Sequence, residues 1–102
     1  METIIQEEGK ILTVVFKGRL DSFTAPEAET QLLPMIEENN YETIVFDCSE
    51  LNYIASSGLR LFFSAMKISR SQGGRVTLKG VNDFVRSVLV STGLAAMFEF
   101  EK

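Results

Sequence analysis

The sequence predicts one α/β domain: a mixed, mainly parallel sheet with helices packed against it, in the order β-β-α-β-α-β-α-β. Three observations carry this. Short apolar runs rich in β-branched residues alternate with segments whose apolar residues recur at i, i+3, i+4, i+7. Glycine, proline and asparagine fall between the two kinds of segment. The first two extended segments follow one another across a glycine, while every later pair is separated by a helical one, which implies right-handed crossovers.

Thr3–Glu8 reads as a first strand at an edge, turning through Glu8-Gly9-Lys10. Ile11–Lys17 is a stronger strand, joined to the first as a hairpin, and Gly18-Arg19-Leu20-Asp21 closes it. Pro26 suits a first helical turn, with Ser22 or Thr24 as caps. The helix presents Ala25, Ala28, Leu32, Leu33 and Ile36 on one face and Glu27, Glu29, Gln31, Glu37 and Glu38 to water. Pro34 is expected to kink it or end it early. Thr43–Phe46 follows as a buried strand.

The next stretch organises the rest. Asp47–Ala55 reads as a loop bearing Asp47 and Ser49, and Ser56-Ser57-Gly58 opens a helix with Leu59, Phe62, Phe63 and Met66 on one face. This helix, widened by Leu61, Ala65 and Ile68, should reach about Ser71 and stop at Gln72-Gly73-Gly74. A strand over Arg75–Lys79 precedes a third helix, capped by Asn82, with Phe84, Val85, Val88 and Leu89 as its apolar face. Phe98-Glu99-Phe100 forms a last strand. Met66 and Met97 read as core filler.

Two roles fit the serines at the helix entrance. A serine there can cap the first turn by accepting from an orphan amide. It can also serve as a switch, because a phosphate at a helix N-terminus meets the positive end of the dipole. Loops after the second and third strands should meet at one end of the sheet, bringing Asp21 and Asp47 near Ser56 as an acidic rim.

Composition narrows the function. The chain has 102 residues, 45% hydrophobic and 24% charged, with formal net charge -4. One core suffices for this length. An acidic balance without a basic cluster argues against nucleic-acid binding. No apolar run approaches the ~20 residues of a spanning helix; with no secretory signal, membrane insertion is not expected and a cytoplasmic setting is. The single cysteine, Cys48, excludes an intrachain disulfide and reads as a core residue. The absence of histidine removes imidazole-based triads and metal sites. No Walker-type loop and no clustered metal carboxylates are present, so neither a catalytic site, a cofactor nor a metal is expected. Acidic charge and small size are compatible with a monomer.

The residues Gly18-x-Leu20-Asp21, Asp47-x-Ser49, Ile54-x-Ser56-Ser57-Gly58-Leu59, Gly73-Gly74 and Ser91-x-Gly93-Leu94, in this order, resemble the STAS domain of bacterial anti-sigma factor antagonists. The resemblance covers nearly the whole chain and implies a single STAS-like domain without enzymatic activity. It implies binding to an anti-sigma factor that is also a serine kinase with a GHKL-type ATP site, release of the sigma factor, and phosphorylation that weakens the complex. A metal-dependent serine phosphatase would reverse it. Ser56 takes the phosphoacceptor position, and Asp21, Ser57, Gly58, Leu59 and Arg60 fall on the contact surface. Two positions depart from the pattern: Ala55 stands where regulated members usually carry Asp, and Arg60 where a small residue is common. Ala55 keeps open a second reading, an unphosphorylated docking subunit of a signalling or transport assembly.

Overall fold

Ile11 to Leu20 alternate between buried and partly exposed positions, and this pattern sets the sheet. The computed structural model describes residues 1–101. Five strands, β1 (Glu2–Glu8), β2 (Ile11–Leu20), β3 (Thr43–Ile54), β4 (Arg75–Lys79) and β5 (Glu99–Glu101), lie side by side in chain order. The hairpin β1–β2 is antiparallel and the other three pairings are parallel. Helices α1 (Ala25–Asn39), α2 (Ser56–Ser71) and α3 (Asp83–Ser91) make the crossovers, with a 3₁₀ turn at Leu94–Met97 before β5. Each crossover steps to the next strand in the same direction, so right-handed connections bring the helices to one face of the sheet. There α1 packs on α2, and both α2 and α3 pack on β3.

The core lies between this face and the helices. Leu12, Val14 and Phe16 of β2, Ile44, Phe46 and Cys48 of β3, and Leu78 of β4 are buried beneath Leu61, Phe62 and Ala65 of α2. At its centre the rings of Phe16, Phe46 and Phe62 meet pairwise at 4.8–5.5 Å between centroids, within the range of favourable aromatic packing. The other face keeps Thr13, Val15, Thr43 and Val45 half-buried.

Several elements differ from the sequence expectation. The third strand does not stop at Phe46 but continues to Ile54. Cys48, Leu51 and Ile54 are buried, and β2 likewise extends to Leu20 to pair with this added length, across two register shifts. The polar residues between those anchors gave the stretch the look of a loop. Pro34 does not end α1, which runs on to Asn39. Proline removes one ladder bond, but the fully buried Leu32 and Ile36 hold the helix to the core on both sides of it. Phe84 and Met97 are not core residues: they are 48% and 38% exposed. Helix α3 turns Val85 and Leu89 inward instead, and a 3₁₀ turn was not anticipated around Met97. The last strand lies one residue later than expected, at Glu99–Glu101.

Candidate functional site

Leu20 and Ile54 end their strands side by side, and the chain leaves both at the same end of the sheet. The Ala55 amide donates to the Leu20 carbonyl at 2.9 Å, which ties the entrance of α2 to the start of the β2–α1 loop. That loop is organised by Asp21. Its carboxylate accepts from the amides of Phe23 (3.0 Å) and Thr24 (3.2 Å), while the Thr24 hydroxyl accepts from the Asp21 amide and donates to the Arg19 carbonyl, both at 2.9 Å. The Phe23 amide does most to hold the Asp21 carboxyl below its ordinary value, against partial burial and aided by Thr24 and Arg19. Asp21 and Thr24 thus brace each other. Thr24 occupies the N-cap position of α1 without capping it through its side chain, and Ser22 does not cap it either.

The serines do not cap α2. The N-cap is Ala55, in extended conformation (φ -100°, ψ 177°), and no side chain caps this end. The Ala55 carbonyl accepts from the amides of Gly58 and Leu59, both at 3.0 Å. Ser56 and Ser57 are therefore the first two helical residues. A capping side chain must come from the residue whose backbone is still extended, and here that residue has no acceptor. Ser56 is exposed; Ser57 is half-buried, and its Oγ is enclosed with no hydrogen-bond partner among the described residues.

Gly58 is buried because the helix starts hard against the strand ends. A Cβ there would lie 2.8 Å from Ile54 Cγ1 and 2.9 Å from Leu20 Cδ2. Leu59 is buried at 8% exposure, and Arg60 is exposed. Ser56, Leu59 and Arg60 line a shallow groove of about 310 Å³ with Phe63, Thr92 and Leu94. Asp21, Ser56, Ser57, Gly58, Leu59 and Arg60 thus cluster at the carboxyl end of the sheet, where open α/β sheets hold their ligands. Ser56, Arg60 and the Asp21 loop are its outward parts.

Asp47 does not join them. At about 3.3 Å per residue, the strand carries it roughly 20 Å from the helix entrance. It pairs in register with Val15 and Lys79 and accepts from the Ser49 hydroxyl at 2.6 Å. Burial raises its pKa, but the Ser49 hydroxyl and amide and the Lys79 charge outweigh this, so the net shift is downward. The acidic rim therefore reduces to Asp21.

Several residues near this end were not read as site residues from the sequence, and Phe84 was read there as core. Arg19 and Tyr53 are register partners, with the guanidinium 4.1 Å from the ring centroid, and Phe84 stacks on Tyr53 at 5.7 Å. Phe23 is 88% exposed at the tip of the Asp21 loop. Phe23 was legible, since it lies outside every apolar period. The Arg19–Tyr53–Phe84 stack needed the register.

Among the described residues no group of His, Cys, Asp and Glu side chains is placed to hold a metal ion, and no helix is long and apolar enough to cross a membrane. Fold and site together define a small α/β domain that offers an exposed serine at the mouth of a helix. The chain belongs to the STAS domain family, whose model matches residues 2–102. It is 31% identical over 94 residues to the anti-sigma-B factor antagonist of Staphylococcus aureus, covering 92% of this chain and 84% of that one. An anti-sigma factor antagonist from Mycobacterium paratuberculosis has the same fold, with a TM-score of 0.84 at 21% identity, over 97% of this chain and 83% of the other. So does the phosphorylated form of the Bacillus cell fate determinant SpoIIAA, with a TM-score of 0.80 at 19% identity over 99% and 92%. At such identities these two structures speak for the fold alone.

Proposed function

We propose that this chain is an anti-sigma factor antagonist: it binds an anti-sigma factor that is also a serine kinase, frees a sigma factor, and loses affinity when Ser56 is phosphorylated. The observation that carries the reading is the exposed Ser56 hydroxyl on the first helical residue of α2, beside the Asp21 loop and the groove at Leu59 and Arg60. The name of the Staphylococcus aureus relative supports it. In the modification the Ser56 oxygen bonds to the γ-phosphorus of ATP, the bond to the β-phosphate bridging oxygen breaks, the hydroxyl proton is released and ADP leaves. The phosphate brings a charge of about -1.5 to -2 into the interface, where it must be desolvated and paired or it weakens the complex. A serine phosphatase restores the hydroxyl. The domain acts by binding and carries no catalysis of its own.

Incubation with the anti-sigma kinase encoded nearest to it, with ATP, tests this. One added phosphate on the native chain but none on Ser56→Ala, with weak binding by Ser56→Asp, is expected. Unaltered mass and equal binding by Ser56→Asp would overturn the switch. That result would favour the second reading, a constitutive docking subunit, which Ala55 supports because it departs from the Asp of regulated members.

A further inference from the structure

We propose that Arg60 is the internal counter-ion of phosphorylated Ser56, so that the modification both adds a charge and withdraws the groove's single cation from the partner. The proposal rests on the reading of Ser56 as phosphoacceptor. Ser56 and Arg60 are both exposed and stand four residues apart on α2, one turn above the other. They line the same groove, and its other lining residues, Leu59, Phe63, Thr92 and Leu94, carry no charge. The ion pairs among the described residues are Lys17–Glu50, Arg19–Asp21 and Arg75–Glu99, so Arg60 has no carboxylate to leave. The first turn of α2 carries no acidic residue that would compete with a phosphate. Lys67 lies two turns beyond Arg60 along the helix and rests over the Phe63 ring, 5.4 Å from its centroid.

A guanidinium matches phosphate oxygens in a two-bond fork. With the hydroxyl free, Arg60 is available to a carboxylate of the partner. With the phosphate in place, Arg60 folds back along its own helix and the groove loses that contact. Repulsion by the phosphate alone would leave Arg60 where it was.

The test uses the full chain with phosphoserine installed at position 56 during translation, titrated by ³¹P NMR. The phosphoserine of the native chain should ionise for the second time about 0.3 unit below that of Arg60→Gln, roughly a twofold difference in proton affinity. Arg60→Lys should retain the lowering, and 1 M salt, with a Debye length near 3 Å, should diminish it. Arg19 and Asp21 at the adjoining loop, and Lys67 and Arg70 further along the helix, are the other charges there, and all four are the same in all variants. Identical titration of the native chain and Arg60→Gln would overturn the proposal. Because no kinase is needed, this outcome is separate from whether a kinase modifies Ser56.

Discussion

The carbonyl of Leu20 and the amide of Ala55 share a 2.9 Å hydrogen bond, so two connections far apart in sequence leave the sheet as one unit. Leu20 also packs where a side chain at position 58 would go. The loop bearing Asp21 and the helix bearing Ser56 therefore hold a fixed relation to each other.

Gly58→Ala should be destabilising. Alanine gains about 1 kcal/mol in helix propensity over glycine, but its Cβ would meet Ile54 and Leu20 at 2.8 and 2.9 Å. Overpacking of this kind costs about 1–3 kcal/mol, so the net effect is a loss of up to about 2 kcal/mol. Urea unfolding measures it. A more stable variant would show that the helix entrance shifts freely.

Ser56→Ala should leave stability within about 0.5 kcal/mol of the native value, as at an ordinary surface site. A capping serine would cost about 1 kcal/mol instead. Thermal unfolding at equal pH separates the two, because Ala55 and not Ser56 holds the cap position.

Ala55→Asp supplies the missing acceptor to a residue already in extended geometry. It should stabilise the chain by about 0.5–2 kcal/mol, the usual difference between a good cap and alanine. A rise in the urea midpoint at unchanged slope would show it. No rise would mean the first-turn amides are already satisfied.

Asn82 is the one helix cap the sequence named that the structure realises through its side chain. Its carbonyl oxygen accepts from the Val85 amide at 2.8 Å, and its amide group donates to the Leu51 carbonyl at 2.9 Å. Asn82→Asp should keep the first bond and lose the second, whereas Asn82→Ala loses both. Alanine should cost about 1–2 kcal/mol and aspartate visibly less. Equal losses would place the whole effect in the tie to β3.

Acid should loosen the Asp21 loop. The folded-state pKa of Asp21 lies below the ordinary 3.8. The folded chain therefore binds fewer protons here than the unfolded one, and the stabilisation is present above that value and lost as pH falls through the lower folded value. Amide shifts of Phe23 and Thr24 should follow this titration, and Asp21→Asn should abolish it. Shifts that persist in Asp21→Asn would assign them to another group.

The periodicity of β2, α1 and α2 made the architecture readable, because each buries one face and its sequence alternates accordingly. The end of β3 was hidden. Asp47, Ser49, Glu50 and Asn52 are polar in a row of a strand, and only Cys48, Leu51 and Ile54, spaced across a bulged register, reveal it. Ser56 was legible as a position but not as geometry. A serine at a helix start invites the cap reading, and only the dihedrals of Ala55 show which residue takes that place. The neighbourhood of Asp21 followed from topology, while the exclusion of Asp47 followed from the length of a strand that polarity had disguised.

The strands lie across the sheet in the order in which they occur along the chain. No strand has to be inserted between two that are already paired. During synthesis each βα unit can therefore join an edge that the ribosome has already released, and assembly can proceed outward from the β1–β2 hairpin by addition at one growing margin. Stalled chains of increasing length should then gain protease protection in steps, one strand at a time. Protection appearing only at full length would mean that the late contacts of α3 and β5 hold the earlier strands together.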